Sequence, residues 1–372
     1  MLKGVHLTLL IGPGVPVPVP QSVMDALVSV SVNSGKEKTG FQVTFALSKN
    51  SPLLQYMLPA GYFDPMTTRV IIIATVNSLP NVIMDGIVTR QELSPSNEPG
   101  QSTLTITGED LSVVMDVVEM NYMRYPAMPE MARLYVIMAK YAAFGITPIL
   151  LPPIPPSVPP PTNKIPTHRG TDLYYMRWMA RKCGYTFYID PGPLPGQSIA
   201  YFGPDVRIPV PQSALSINMD AHTNVEQMTF SLDGLSKKII IYTIHVEGED
   251  ITIPAPNLSV LRPPMGLRLP APSKIEYADD GANKSMAEGL QEILGMTFNA
   301  SNSVTVSGTL DVLRYGGILR NRLMVGVRGA GLTYDGLYYV DSVTHSIKRG
   351  EYKQTFQLSR DGLITNTPKV FV

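Results

Sequence analysis

A single cysteine in 372 residues, Cys183, excludes an intrachain disulfide and a thiolate metal cluster. A lone thiol of this kind suits assembly in a reducing compartment. Charge is scarce as well: Asp, Glu, Lys and Arg make up 16% of the chain, and 30 basic residues cancel 30 acidic ones. With no net field to draw in phosphates, specific nucleic-acid binding is not expected. Long apolar runs are also missing. Residues 7–11 are cut off by Gly12-Pro13 and make a poor signal peptide and no membrane span, while residues 131–151 carry Arg133, Lys140 and Pro148 and read better as a packed helix than as a span. The five histidines, His6, His168, His222, His245 and His345, are scattered. Their acidic neighbours Glu226, Glu249 and Asp341 fall in predicted strands or turns and share no helical face, so no metal site is expected.

What is present is apolar, proline-rich and repetitive. Hydrophobic residues are 44% of a chain longer than one core usually serves, so several packed units are expected, with much of the weakly charged surface used as interface. Late in the chain, Arg322-Leu323-Met324-Val325-Gly326-Val327 is followed by Asp335-Gly336, a run over 337–345, Arg349-Gly350 and a run over 353–358. Early in the chain, Arg69-Val70-Ile71-Ile72-Ile73 is followed by Asp85-Gly86, a run over 87–93, Gly100 and a run over 102–107. The runs have strand length and the gaps carry turn residues. Pro-Val-Pro-Gln-Ser occurs twice, at 18–22 and 209–213, each time ahead of alternating segments that predict a hairpin. Val28, Val30 and Val32 then Phe41, Val43 and Phe45 make the first; Leu215, Ile217 and Met219 then Met228, Phe230 and Leu232 make the second.

The expected fold is mainly β with α+β insertions, built on two similar antiparallel β-barrel, tube-like modules. The first takes residues 1–118. Residues 119–203 form a helical, proline-rich and α+β insertion: a helix over 129–144, a proline tract over 148–166 suited to a surface tether, and a unit of helix, glycine and strand from Thr171 through Gly184 to Ile189. The second module takes 204–236 and 300–372, interrupted by a small domain over 237–299 with a short helix near 285–294.

Catalytic constellations are weak. Asp341, Ser342 and His345 lie close together, but neighbouring residues of a strand point to opposite faces. Gly326, Gly329 and Gly331 precede a strand where a phosphate loop would precede a helix. Glu109-Asp110 and Asp279-Asp280 are read as solvated turn residues, and the aromatic cluster of Tyr174, Tyr175, Trp178, Tyr185, Phe187 and Tyr188 as the core of the α+β unit. No catalytic, cofactor or metal residue is assigned.

Two stretches carry a family resemblance. Gly170-Thr171-Asp172-Leu173 through Trp178-Met179-Ala180-Arg181-Lys182-Cys183-Gly184-Tyr185-Thr186-Phe187, and Asp335-Gly336-Leu337-Tyr338-Tyr339-Val340 with Phe356-Gln357-Leu358-Ser359-Arg360, resemble the baseplate hub proteins of contractile phage tails and related injection systems, the phage late control D family. The resemblance implies a non-enzymatic virion protein assembled in the bacterial host cytoplasm. It further implies a homotrimeric symmetry adaptor between a threefold spike and a sixfold tail tube or tube-initiator protein, with wedge proteins and a tape-measure protein as further partners. A tail-tip peptidoglycan hydrolase and a carbohydrate or receptor-binding module are the alternatives.

Overall fold

The computed structural model describes residues 4–98, 101–154, 165–205, 207, 211–236, 238–246, 249–256, 264–278 and 302–366. The first module holds β1 Val5–Pro13, β2 Val17–Pro18, the short helix α1 Gln21–Ala26, β3 Leu27–Ser34, β4 Thr39–Leu47, β5 Thr68–Val76, β6 Leu79–Ser94 and β7 Ser102–Asp110. The alternating residues of β3 and β4 bury one face, with Val30, Val32, Phe41, Val43 and Phe45 in the core. β5 is instead buried on both faces, which is why it reads as a continuous apolar run. Val70, Ile72 and Ala74 enter the main core, while Ile71 and Ile73 pack with Val82 on the other side.

The middle segment supplies helix α2 Glu130–Ala139, β8 Ile146–Leu150, helix α3 Asp172–Lys182, β9 Thr186–Pro191 and β10 Ser198–Gly203, with the sheet order β8-β10-β9. The second half supplies β11 Gln212–Ser216, β12 Val225–Leu232, β13 Lys238–Val246, β14 Glu249–Pro256, β15 Gly266–Arg268, β16 Lys274–Ala278, β17 Val304–Asp311, helix α4 Val312–Tyr315, β18 Met324–Arg328, β19 Gly336–Lys348, β20 Glu351–Arg360 and β21 Leu363–Thr365. β13, β14 and β16 make a separate sheet, inserted between β12 and β17, which pair with each other.

Thirteen strands share one sheet, and its order repeats itself. One run is β3-β4-β7-β6-β5-β1 and the other is β12-β17-β20-β19-β18-β11. The likeness extends to irregularities. The β3–β4 ladder slips between Leu27 and Ser29, and the β12–β17 ladder between Val225 and Gln227. The β6–β7 ladder slips between Val88 and Arg90, and the β19–β20 ladder between Val340 and Ser342. Such bulges bend a strand at a fixed place, so matched bulges mean matched curvature. Even the approach to β5 and β18 is shared: Met66 (φ 64°) donates its N–H to Val88 O, and Arg322 (φ 60°) donates to Val340 O.

Several expectations change. Asp85-Gly86 is not a turn but lies inside β6; the chain turns at Asn77 and Ser78, both at positive φ as a two-residue hairpin requires. Asp335 precedes β19, so the two Asp-Gly pairs are not equivalent positions. The repeated Pro-Val-Pro-Gln-Ser leads into helix α1 in the first copy, whereas Gln212 and Ser213 open strand β11 in the second. β11 and β12 form no hairpin: β11 runs parallel to β18, in the sheet position that β1 fills antiparallel to β5. Asp110 is not a solvated turn residue, being buried and accepting the N–H groups of Thr39 (2.6 Å) and Ser112 (2.9 Å) to start a short helical turn, Leu111–Asp116. Asp279-Asp280, the expected helix near 285–294 and positions 155–164 of the proline tract lie outside the described residues.

The helix α3 unit follows its local code. Thr171 Oγ1 accepts from the N–H of Tyr174 at 3.2 Å. Gly184 sits at φ 68° and donates to Arg181 O, while Tyr185 N–H reaches back to Ala180 O at 2.7 Å, a Schellman closure. Gly184→Ala forces an L residue into the left-handed region, and a loss of about 1–2 kcal/mol in thermal unfolding is expected. A change below a few tenths would show that this closure contributes nothing.

Candidate assembly surface

The aromatic cluster is divided between core and surface. Tyr175, Tyr185 and Phe187 are buried in the second core with Leu173, Met176 and Ala180, whereas Tyr174 is half exposed. His168 joins this core, its ring stacked on Tyr175 at 4.5 Å and its Nδ1 2.9 Å from the Tyr125 hydroxyl. Cys183 is buried there too, and burial pushes its thiol up to about 12, leaving it unreactive at neutral pH.

The Asp341, Ser342, His345 grouping does not assemble. Asp341 is the bulged residue between Val340 and Ser342 on β19. His345 is buried, with Nδ1 2.8 Å from the Tyr352 hydroxyl and 3.4 Å from the Gln354 amide. That amide is in turn fixed by both backbone groups of Leu319. Gly329 and Gly331, both at positive φ, form the link from β18 to β19, and Gly326 lies within β18. Among the described residues no group of three or more His, Cys, Asp or Glu could hold a metal ion, and no helix is long and apolar enough to cross a membrane.

Two arginines each tie distant parts of the chain together. Arg69 on β5 makes a bidentate pair with Asp85 on β6, at 2.7 and 2.8 Å. The same pair reaches the middle segment, through Arg69 to Gly196 O (3.3 Å) and through Ser198 Oγ to Asp85 (3.2 Å). Arg322, ahead of β18, pairs with Asp190 at the end of β9 and lies 3.8 Å from the centroid of the Tyr188 ring. It also donates to Gly35 O (2.7 Å) and Lys36 O (3.1 Å) in the β3–β4 turn. One side chain therefore fastens the second half to both the first module and the middle segment. A cavity of about 410 Å³ lies at this junction, between Tyr188, Asp190, Asp205, Arg322, Tyr339 and His345. None of these arginine roles was readable in the sequence, because each partner is brought in by sheet register or by a distant turn.

β19 is the splice. Residues 336–339 pair with β18, and along the same edge residues 343–348 pair with β3, from Val343↔Ser34 to Lys348↔Ser29. The two runs become one sheet through this exchange. β6 occupies the matching place in the first run: it pairs with β5 only as far as Arg69↔Ile87, and residues 90–94 have β7 as their one strand partner among the described residues. Among the described residues β12 likewise pairs on one side only, with β17. Leu93 and Leu232, on these two edges, are each 44% exposed.

No protein-family model matches this sequence, and neither does any curated protein. Solved structures do. A tail protein from Neisseria meningitidis MC58 matches with a TM-score of 0.64 at 14% identity, over 97% of this chain and 98% of that one. The 43 kDa tail protein of prophage MuSo2 from Shewanella oneidensis matches with a TM-score of 0.61 at 12% identity, over 96% of this chain and 99% of that one. A chain of the Francisella PdpA-VgrG complex matches with a TM-score of 0.57 at 11% identity, over all of this chain and 60% of that one. The chain thus has a mostly antiparallel β fold, and it is the fold of these tail proteins.

Proposed function

We propose that this protein is the central hub of a tail baseplate, a homotrimer that joins a threefold spike to a sixfold tail tube. The observation that carries the reading is the repeated strand order with its matched bulges. Two alike modules per chain, residues 1–118 and residues 204–236 with 300–372, make six alike modules in three chains. A ring of that kind is threefold by chain and nearly sixfold by module. The middle segment and the insertion over 237–299 differ between the halves, so they keep the threefold character and suit the spike side. Wedge proteins and a tape-measure protein are the further partners, and the assembled virion tail is the location. The role is structural, and the Asp341, Ser342 and His345 grouping, with Asp341 bulged out of the ladder and His345 bonded to Tyr352, supports that reading.

Mass photometry of the pure protein should give three times 40.7 kDa, about 122 kDa. A particle that stays at the mass of one chain at micromolar concentration overturns the proposal. Incubation with peptidoglycan should release no muropeptide, and clear turnover would favour a tail-tip hydrolase.

A further inference from the structure

We propose that the open edge of β12 pairs antiparallel with residues 91–94 of β6 in a second copy of this chain, in the register Gln91↔Leu232, Glu92↔Ser231, Leu93↔Phe230 and Ser94↔Thr229. This rests on the hub reading and specifies the contact that closes its ring.

The register comes from the chain itself. Aligning the β6 and β19 bulges places Val88 on Val340, an offset of 252 (340 − 88). Aligning the β3 and β12 bulges places Leu27 on Val225, an offset of 198 (225 − 27). The remaining strands agree: Val43↔Ile106 in the first run falls on Gly308↔Phe356 in the second, each a direct pair. Within one chain, β3 pairs with β19 through Val343↔Ser34, Thr344↔Asn33, His345↔Val32 and Ser346↔Ser31. Applying both offsets turns these four pairs into the four proposed ones. Among the described residues, the first-run strand β6 lacks the partner that β19 has, and the second-run strand β12 lacks the partner that β3 has.

The chemistry of the two edges fits. In the pairing already present, Val32 and Val343 are buried completely and His345 nearly so, all on one face of the sheet. Their counterparts Phe230, Gln91 and Leu93, with Leu232 in place of Ser34, would lie together on the same face. The opposite face would hold Glu92, Ser94, Thr229 and Ser231, a polar surface suited to a channel. Pro95 follows at once and has no N–H to extend the ladder. An unpaired edge with exposed leucines is a standing invitation to aggregation, and covering both edges by one contact removes it. Because the donor and acceptor edges differ, the contact is head to tail and closes into a ring when the rotation permits.

Cross-linking tests the register. Neighbouring pairs of an antiparallel ladder alternate between hydrogen-bonded and non-hydrogen-bonded spacing, so two double variants are needed, Leu93→Cys with Phe230→Cys and Ser94→Cys with Thr229→Cys. Cys183 is buried and does not compete. Under mild oxidation at least one double variant should shift most of the protein to a covalent three-chain band on a non-reducing gel, whereas the four single variants should give none. A particle of three chains with no cross-link from either pair overturns this strand pairing and leaves the hub reading standing. Covalent ladders beyond three chains overturn ring closure. One-chain particles throughout overturn both.

Discussion

Arg69→Ala is expected to destabilise the protein by about 3–5 kcal/mol, the usual cost of stranding one member of a buried ion pair. The Arg69 side chain is 9% exposed and that of Asp85 not exposed at all, so water cannot take over the lost hydrogen bonds. Among the described residues the Ser198 hydroxyl is the remaining side-chain partner of the carboxylate. Breaking the pair also releases the tie between Gly196 and β5, so the middle segment should loosen together with the first module. The double replacement Arg69→Met with Asp85→Leu should recover all but about 1 kcal/mol, because the charge that needed a partner has gone too. Calorimetric unfolding of the three proteins is the measurement. A loss below about 1 kcal/mol in Arg69→Ala, or a double variant as weak as the single one, would show that the pair does not set stability.

Acid should weaken the protein by a second route, with an effect on the order of 3 kcal/mol. Burial, aided by the nearby Arg320, lowers the His345 imidazole from its usual 6.5 to about 4. The unfolded chain takes up the proton near 6.5 while the folded chain refuses it until about 4. The stabilisation is therefore complete above pH 6.5 and is lost as pH falls from 6.5 towards 4, at about 1.4 kcal/mol per pH unit. Asp110 works in the opposite sense, since burial first and foremost raises its carboxyl, so the overall pH profile mixes both. His345→Gln removes one contribution alone. The difference in stability between the natural protein and His345→Gln should be flat above pH 7 and should shrink between pH 6.5 and 4; a pH-independent difference would refute the assignment.

Legibility in the sequence followed the range of the interactions. Helix α3 could be read because Thr171, the apolar positions and Gly184 all act within a few residues of one another. Strands β3, β4 and β12 could be read from their period-two alternation. Direction and pairing could not, as the repeated Pro-Val-Pro-Gln-Ser shows: the same five residues lead into a helix and into a strand because the space offered by β5 is already filled by β1, while that offered by β18 is open. Asp85-Gly86 misled for a related reason. Gly86 looks like a turn residue, yet a Cβ there would come 2.1 Å from Glu109 O across the ladder, so the glycine serves close strand approach. The assembly surface was legible only as low charge. The edges of β12 and of β6 over residues 90–94, without a strand partner on one side among the described residues, appear only once the strand order is known.

The inserted sheet has a kinetic meaning. Ser34↔Thr39 closes the β3–β4 hairpin over four residues, 35–38, while the equivalent closure Leu232↔Val304 spans 71 residues (303 − 233 + 1). For an unstructured connection that difference costs about 2.5 kcal/mol more in chain entropy, so β12–β17 should zip late. By then β3 and β4 are already paired, and β3 offers its outer edge to β19 as a finished template. The first module would thus act as an internal scaffold for the second, and replacing residues 233–303 with the four-residue turn should make the second module fold faster while leaving the folding rate of the first unchanged.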